Sequence, residues 1–336
     1  MLILRHADVR QILDGQERLV VDVVETTYRT HDEGRTTLPH SIFLRFPDAP
    51  RDRIIGLPAF VGGDEPAAGM KWISSFPGNL ELGLERASAA IILNEAGTGR
   101  PAALVEGSVI SAKRTAASAA VAARLLTAEA DTHGAALIGC GVINREVLRF
   151  LRSELPLLRR VTVYDQDPAR AALFARRAAE FHGPGLAVTV ADTVGEALAA
   201  HRLVSLATTA AAPHLDLAPL APGSTVLHVS LRDIEVEDIL AAQNVTDDTD
   251  HVSREQTSIH LAEQATGNRD FVDAEIGRIL RDPSSFRRDP SRTLVYSPFG
   301  LGALDIALAS RVHAEAAAKG LGVEVEGFLP GESRHS

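Results

Sequence analysis

A pair of glycines and a later aspartate form the pattern of this chain that says most about its chemistry. Gly139-Cys140-Gly141-Val142-Ile143-Asn144 follows the apolar run Ala135–Ile138, and Asp165 follows the next apolar run, Val161–Tyr164. Glycines at such a turn let the backbone approach a pyrophosphate, which then lies over the unpaired amides at the start of the following helix. The pattern predicts a βαβ unit that binds a dinucleotide.

Asp165 predicts which dinucleotide is bound. A carboxylate at this position accepts hydrogen bonds from both ribose hydroxyls and repels a 2′-phosphate, so we expect NAD rather than NADP. The expected cofactor contacts at the turn are Gly139, Gly141, Val142, Ile143 and Asn144. Asn144 replaces the third glycine of the usual pattern, and an ordinary strand-to-helix turn is the alternative interpretation.

The elements around this turn alternate as an α/β fold requires. Strand-like runs recur at Ala187–Val190, Leu203–Leu206 and Thr225–His228, which favours a Rossmann-type dinucleotide-binding domain over residues 130–304. Residues 1–129 read as mixed helices and strands that end in an alanine-rich helix. A strand-like run at 322–327 has no place in the dinucleotide sheet. We therefore expect a second, discontinuous α+β domain made of 1–129 with 305–336.

Composition restricts the classes of partner. The chain has 336 residues, 45% of them hydrophobic and 23% charged, which suits a soluble two-domain protein. Its net charge of -10 argues against nucleic acid or an anionic membrane as a partner. The single cysteine, Cys140, excludes an intramolecular disulfide, and no apolar run reaches a membrane-spanning length. We expect a cytoplasmic protein that acts on a small molecule.

Two groups of basic residues have types suited to a site. Lys71 lies in an apolar segment directly before Trp72, where a lysine is costly to bury unless a carboxylate pairs with it. It could hold a substrate carboxylate there, or lie along the surface with its ammonium in water. Arg114 and Thr115 interrupt the alanine-rich helix, where they form either a solvated face or an anion contact.

Asp233 is the acidic candidate. It comes shortly after the strand-like run Val226–Val229, at the carboxyl end where ligands bind in open α/β sheets. It could act on a ligand there, or it could cap a helix that starts near Glu235. Arg232 could pair with Asp233 or with a substrate carboxylate.

Polar residues after another strand complete the candidates that the pattern alone provides. Thr208 and Thr209 follow Leu203–Leu206, where related domains contact the nicotinamide ribose, although a polar turn is the alternative. His228 and His251 are expected to be structural, and no histidine pair has convincing metal-ligand spacing. We predict no metal site.

Several segments outside the turn resemble the ornithine cyclodeaminase/μ-crystallin family. They are Gly69–Trp72, Phe76–Asn79, Ile91–Asn94 with Thr98–Gly99, and Arg114–Ala117. Others resemble the branch that oxidises N-((2S)-2-amino-2-carboxyethyl)-L-glutamate and hydrolyses the imine to 2-oxoglutarate and L-2,3-diaminopropionate, for siderophores and antibiotics. These are Leu38–Ser41, Glu106–Ser111, Ser230–Ile234, Asp247–Val252, Arg254–Ser258 and Ser297–Gly302.

The resemblance implies roles for single residues. It makes Lys71 and Asp233 catalytic, with Lys71 also binding substrate and Asp233 serving as acid/base beside the substrate nitrogen and the attacking water. Arg114 and Thr115 would reach the cofactor pyrophosphate or a substrate carboxylate. Arg232 would bind substrate.

The early strand region departs from the family. An arginine usually follows a proline there and grips the substrate carboxylate, whereas His40 follows Pro39 in this chain. We expect Arg45 to take over this contact, with His40 beside the substrate. Such a change fits a substrate with three carboxylates.

The family further implies a homodimer formed through the domain that does not bind the nucleotide, which would thus bind substrate and dimerise. Two alternatives to the branch activity remain. One is an ornithine cyclodeaminase or a related amino-acid dehydrogenase or ketimine reductase. The other is a crystallin-like binding protein without turnover, against which the presence of Lys71, Arg114 and Asp233 together argues.

Overall fold

The computed structural model describes residues 1–330 and divides the chain into two compact units. The first unit comprises Met1–Arg114 and the chain from Leu301 onward, and the second comprises Thr115–Gly300. The division falls inside the alanine-rich helix rather than at its end. The predicted roles of the two domains stay a prediction, and residues 331–336 of the predicted range lie outside the described residues.

The first unit is built on a mixed sheet. Its elements before the division are β1 (Leu2–Leu4), α1 (His6–Leu13), α2 (Glu17–Asp32), β2 (Thr36–Thr37), β3 (Ile42–Phe46), β4 (Ala49–Val61), β5 (Ala67–Ser75), β6 (Ala87–Asn94), β7 (Pro101–Glu106) and α3 (Ser108–Leu126), which continues into the second unit. Strands β4 to β7 pair antiparallel in chain order, β3 pairs with β4, and β1 lies parallel to β7.

Strand β5 shows how this sheet positions side chains. Lys71 lies opposite Leu57 on β4 and Ile91 on β6, whose side chains are buried on the same face. Because successive side chains of a strand point to opposite faces, Trp72 lies on the other face. The exposed fraction is 1% for Lys71 and 40% for Trp72. Lys71 therefore occupies a core position of this sheet.

The second unit contains a parallel sheet with helical connections. Its strands are β8 (Gly134–Ile138), β9 (Arg160–Tyr164), β10 (Ala187–Val190), β11 (Leu203–Leu206), β12 (Thr225–His228), β13 (Gln243–Thr246), β14 (Val272–Glu275) and β15 (Leu294–Ser297). The helices are α4 (Val142–Glu154), α5 (Pro168–His182), α6 (Val194–Ala200), α7 (Val236–Ala241), α8 (Thr249–Val252), α9 (Ser258–Thr266) and α10 (Ile276–Arg281).

The order of these strands identifies where a ligand would bind. It runs β10-β9-β8-β11-β12-β15-β13-β14, so the chain proceeds outward from β8 in one direction and then from β11 in the other. In such sheets, the crevice at the carboxyl ends of the strands that flank this reversal binds ligands. The Rossmann-type arrangement expected from the sequence is confirmed. Strands β13, β14 and β15 were not predicted.

The chain returns to the first unit through α11 (Gly302–Lys319) and β16 (Val323–Glu324). Strand β16 pairs antiparallel with β1, which confirms that the last strand joins the first sheet. Helix α11 packs on strands β4, β5 and β6. Among residues 1–330, no helix is both long and apolar enough to cross a membrane, and no cluster of side chains suits a metal ion.

Candidate functional site

Gly139 makes the turn after β8 possible. Its backbone φ is +92°, a conformation that residues with a side chain rarely adopt. A Cβ atom there would lie 2.4 Å from the backbone oxygen of Ala207, in the segment after β11. Gly139 therefore permits the close approach of the two strand ends that flank the reversal point of the sheet.

Gly141 is not explained by packing within the protein. It is the N-cap of α4, its φ is -89°, and a Cβ added to it would have no atom within 4 Å. No side chain caps this helix, so the amides at its start, including those of Val142 and Ile143, receive no hydrogen bond from a capping side chain. This arrangement suits a pyrophosphate placed on the helix start.

Asn144 has a different task from the one that the glycine pattern suggests. Its side chain is fully buried, and its amide nitrogen donates to the backbone oxygens of Ile138 (2.9 Å) and Gly139 (2.8 Å). Its amide oxygen accepts a hydrogen bond from Ser205 on β11 (2.7 Å). The side chain thus braces the turn from inside, which leaves only its backbone for a cofactor.

Asp165 lies directly after β9 and also holds the turn. One carboxylate oxygen accepts the backbone N–H of Cys140 (2.8 Å), and the other accepts that of Asp167 (3.0 Å). The Nε atom of Arg170 lies 3.8 Å from the carboxylate. Burial, with the nearby Asp165 charge, raises the pKa of the Cys140 thiol to about 12, so this cysteine stays protonated and unreactive.

Asp233 is the centre of a buried polar cluster in the second unit. Its carboxylate accepts hydrogen bonds from the hydroxyls of Thr208 and Ser230, the latter at 2.5 Å. Burial alone would raise its pKa, but hydrogen bonds and the charge of His228 lower it to about 2. The next helix, α7, has Glu235 as its N-cap. Asp233 is therefore held as a carboxylate rather than used as a helix cap.

His228 is a residue of this cluster that sequence reasoning missed. It ends β12, is fully buried, and places its Nε2 atom 3.2 Å from the Oδ2 atom of Asp233. Its Nδ1 atom lies 3.3 Å from the hydroxyl of Ser297 on β15. The signal in the sequence was a histidine in an apolar strand shortly before an acid, a pattern that does not reveal their contact.

Three further predicted site residues of the second unit are Arg232, Thr208 and Thr209. The Arg232 guanidinium donates to the backbone oxygen of Glu255 at 3.1 and 2.7 Å. Thr208 bonds to Asp233 and accepts the N–H of Ala210 (3.1 Å), whereas Thr209 is exposed. If Thr208 contacts the cofactor as predicted, its hydroxyl would serve both the cofactor and Asp233.

In the first unit, Lys71 and Arg114 converge on one carboxylate. The Nζ atom of Lys71 lies 2.6 Å from Oδ2 of Asp305, and Nε of Arg114 lies 3.1 Å from Oδ1. Asp305 is fully buried, and the side chains of Lys71 and Arg114 are 2% and 9% exposed. A surface-lying lysine and a solvated arginine are both excluded by this burial.

The charge state of Lys71 follows from its surroundings. Burial and the charge of Arg114 lower its pKa, Asp305 raises it, and the result is about 8. The ammonium is thus mostly charged at pH 7. It donates to Asp305 and to the hydroxyl of Ser111 (3.4 Å), which leaves the third of its three donors for a ligand oxygen.

Asp305 was not among the predicted site residues. The sequence placed it only as the start of a helix, and its partner Lys71 is 234 residues away. The expectation that a buried Lys71 would need a carboxylate partner was correct, but nothing in the sequence spacing identified Asp305 as that partner.

The remaining predicted residues lie outside the cluster of Lys71, Arg114 and Asp305. His40 is exposed in the connection between β2 and β3. Arg45 is exposed on β3, opposite Arg53 on β4, with its guanidinium 5.3 Å from the centre of the Phe43 ring. Thr115 is half-buried on α3. Their roles stay predictions.

Comparison with known proteins gives consistent matches over the whole chain. The profile of the ornithine cyclodeaminase/mu-crystallin family matches residues 2–320. The N-((2S)-2-amino-2-carboxyethyl)-L-glutamate dehydrogenase of Staphylococcus aureus is 29% identical over 328 residues, which cover 96% of this chain and 97% of that protein.

Two solved structures have the same fold. The crystal structure of CmnK has a TM-score of 0.88 and 29% identity, over 98% of this chain and 99% of that one. The Delta(1)-pyrroline-2-carboxylate reductase of Thermococcus litoralis, solved with NADH and L-proline, has a TM-score of 0.89 and 25% identity, over 97% of this chain and 100% of that one. The resemblance read from the sequence is confirmed.

Proposed function

Because the chain belongs to the ornithine cyclodeaminase/mu-crystallin family, we propose that it is an NAD-dependent oxidoreductase acting on a carbon–nitrogen bond. Its proposed reaction is the oxidation and hydrolysis of N-((2S)-2-amino-2-carboxyethyl)-L-glutamate to 2-oxoglutarate and L-2,3-diaminopropionate. Similarity over nearly the whole chain to the dehydrogenase of that name carries the proposal. Use of the product in siderophore or antibiotic synthesis and a cytoplasmic location stay predictions.

The turn after β8 fits NAD. Gly141 leaves open space above the uncapped start of α4, and this space is what a pyrophosphate needs. Asp165, at the end of β9, would meet the adenosine ribose and disfavour a 2′-phosphate. When bound, NAD would accept a hydride from the carbon beside the substrate nitrogen.

The cluster of Lys71, Arg114 and Asp305 would bind a substrate carboxylate. Two cations share one carboxylate, so the cluster carries a net positive charge in a buried setting. An arginine keeps donors on both terminal nitrogens when its Nε is engaged, and the lysine keeps one. The lysine, with its pKa of about 8, acts at pH 7 mainly as a cation rather than as a base.

A row of arginines on the same sheet face supports a substrate with additional carboxylates. Ser75 lies four residues after Lys71 on β5, so both face the same side, about 13 Å apart along the strand. Arg53 lies opposite Ser75, and Arg45 lies opposite Arg53. Arg86 donates to the Ser75 hydroxyl (2.6 Å), and burial together with the charge of Arg53 lowers its pKa.

These three arginines suit the side-chain carboxylate of the glutamyl half of the substrate. An ornithine side chain ends in a cation instead, which the arginines would repel. Arg53→Ala should raise the KM for the glutamate conjugate at least tenfold and leave NAD affinity unchanged. Arg176→Ala, at an exposed position of α5, is the control and should change neither. Equal KM values for the two variants would remove the arginines from substrate binding.

One assay tests the proposed reaction. Purified protein with NAD and the glutamate conjugate should accumulate NADH, 2-oxoglutarate and L-2,3-diaminopropionate in equal amounts. An ornithine cyclodeaminase would instead form proline and ammonia without net NADH, and a reductase would consume NADH with a cyclic imine. A crystallin-like binding protein would bind NAD without turnover. Conversion of ornithine at a comparable rate would contradict the proposal.

We further propose that the outer face of the first sheet joins two copies of the chain. This face, opposite to the one that packs on α11, carries large exposed apolar side chains. They are Ile42, Leu44, Phe60, Trp72 and Ile92, between 38% and 63% exposed. An apolar face of this kind on a sheet is typical of a protein–protein contact.

The mass of the protein in solution tests the dimer. Trp72→Glu places a charge in the centre of the face and should halve the mass measured by light scattering. Phe181→Glu, at a more exposed aromatic position on α5, should leave it unchanged. A monomeric wild-type protein would disprove the dimer.

A further inference from the structure

His228 has no role in the proposed reaction so far, although its position demands one. It is fully buried at the end of β12, in contact with a carboxylate that is also fully buried. A histidine that only filled this volume could be replaced by an apolar residue at no cost in polar contacts. Its two ring nitrogens instead contact Asp233 and Ser297.

The Nε2 atom of His228 has two mutually exclusive partners. It lies 3.2 Å from Oδ2 of Asp233, which requires Nε2 to carry a proton if Asp233 is ionised. It also lies 3.2 Å from the backbone N–H of Asp233, which requires Nε2 to be an unprotonated acceptor. The two arrangements differ by one proton at one atom.

Polar groups from several elements surround the pair. On the carboxylate side, Thr208 follows β11, and Ser230 lies in the segment after β12. His214 contacts Asp233 through its backbone N–H, which donates to the backbone oxygen of Asp233 (2.9 Å). On the imidazole side, the hydroxyl of Ser297 on β15 can donate to Nδ1 or accept from it.

These hydroxyls allow both arrangements. Each can rotate its proton to suit the state of its partner, whereas a second charged group would favour one state. His228 is the charged group that acts on the Asp233 carboxyl from β12. Two titratable groups this close release protons as one unit rather than independently.

We propose that His228 and Asp233 hold one exchangeable proton between them and serve as a single acid/base unit, an inference that rests on the proposed function. In the unprotonated state, the pair has one negative charge. The substrate ammonium loses its proton to the pair, its N–H bond breaks, and the electron pair stays on nitrogen. Water that adds to the imine carbon releases one proton to solvent and leaves a hydroxyl on that carbon. When the C–N bond breaks, its electron pair goes to the nitrogen, the His228–Asp233 pair returns its proton to that nitrogen, and the hydroxyl loses its proton to solvent as the C=O bond forms.

The shared proton also explains why a histidine accompanies the acid. A carboxylate with a pKa near 2 is a weak base at neutral pH, so by itself it would take little part in moving a proton. An imidazole is the side chain best suited to acid/base catalysis at neutral pH, so its contact with Asp233 gives the pair a group that can carry the proton.

A titration that needs no substrate tests the pair directly. In protein labelled with ¹⁵N-histidine, the His228 signals are assigned by their loss in His228→Gln, and their pKa is measured in the wild type and in Asp233→Asn. We expect the His228 pKa to fall by more than one unit in Asp233→Asn, because the carboxylate charge is lost. An equal pKa in both proteins overturns the proposal.

Kinetics provide the second measurement. His228→Gln keeps an N–H donor near Asp233 but cannot hold the proton, so kcat should fall at least about 10²-fold. The acid limb of kcat/KM should move to lower pH by a unit or more, toward that of a lone carboxyl group, while NAD affinity stays unchanged. His260→Gln, half-buried on α9, is the control.

The outcomes separate a proton-sharing role from a structural one. If His228 only braces Asp233, His228→Gln keeps most of kcat and the pH profile does not move, which overturns the proposal. If His228→Gln does not fold, the His228 signals are assigned by their loss in His228→Asn instead, and the titration of the wild type and Asp233→Asn still decides it. A protein inert toward the glutamate conjugate refutes the proposed function and leaves the titration valid.

Discussion

Asp305 is the shared counter-charge of two buried cations, so removing its charge is the sharpest test of the cluster in the first unit. Asp305→Asn keeps the side-chain volume and one acceptor oxygen but removes the negative charge that lies 2.6 Å from Lys71 and 3.1 Å from Arg114. Breaking a buried ion pair by removing one partner typically costs about 3–5 kcal/mol. We expect the free energy of unfolding to fall by that amount at pH 7.

The pH dependence of this loss follows from Lys71. Its pKa is about 8 in the folded protein and 10.5 for an ordinary exposed lysine, so the unfolded chain binds more protons between these limits. Stability therefore rises as pH increases through this window, by about 3 kcal/mol in the wild type. Asp305 raises the Lys71 pKa, so in Asp305→Asn this pKa falls further and the rise begins at lower pH.

Urea unfolding measured between pH 6 and pH 10 tests both statements. Asp22→Asn is the matched control, because its exposed carboxylate pairs with Arg18 (3.0 Å) and such a pair contributes below about 1 kcal/mol. Two results would show that Asp305 does not hold Lys71 in its charged state. One is a loss of unfolding free energy in Asp305→Asn no larger than that in Asp22→Asn, and the other is an Asp305→Asn variant whose unfolding free energy has the wild-type pH dependence.

The turn after β8 offers three further predictions. Gly141→Ala should weaken NAD binding at least tenfold without lowering the melting temperature of the protein. Gly139→Ala should lower the melting temperature, because only a Cβ on Gly139 would meet backbone atoms. NAD titration and calorimetry distinguish the two variants, and an equal fall in their melting temperatures would refute the role of Gly141 in NAD binding. Asn144→Ala leaves the Ser205 hydroxyl without its acceptor and should destabilise the protein by about 1–3 kcal/mol in urea unfolding; an unchanged midpoint would contradict the bracing role. Asp165→Asn should erase most of the preference for NAD over NADP in kcat/KM, and a constant ratio would show that another residue sets it.

Local sequence patterns determined the elements and the cofactor turn of this protein. Short strand-like runs and a glycine at a strand end are local features of the chain, and the predicted strands Ala187–Val190, Leu203–Leu206 and Thr225–His228 coincide with observed ones. Strand β15 was missed, because Leu294–Ser297 is a short apolar run that closely follows a polar segment.

The partners of the reactive groups were decided only by the tertiary structure. Lys71 on β5 meets Asp305 on α11 because the chain returns to the first sheet after completing the second unit. His228 meets Asp233 because the segment after β12 turns back on itself, with Leu231 at a φ of +70°. Sequence spacing can show that a buried lysine needs a counter-charge and that an acid follows a strand. Which side chain lies within 3 Å of which is set by the packing of elements far apart in the chain, and the charge state of each group depends on that packing.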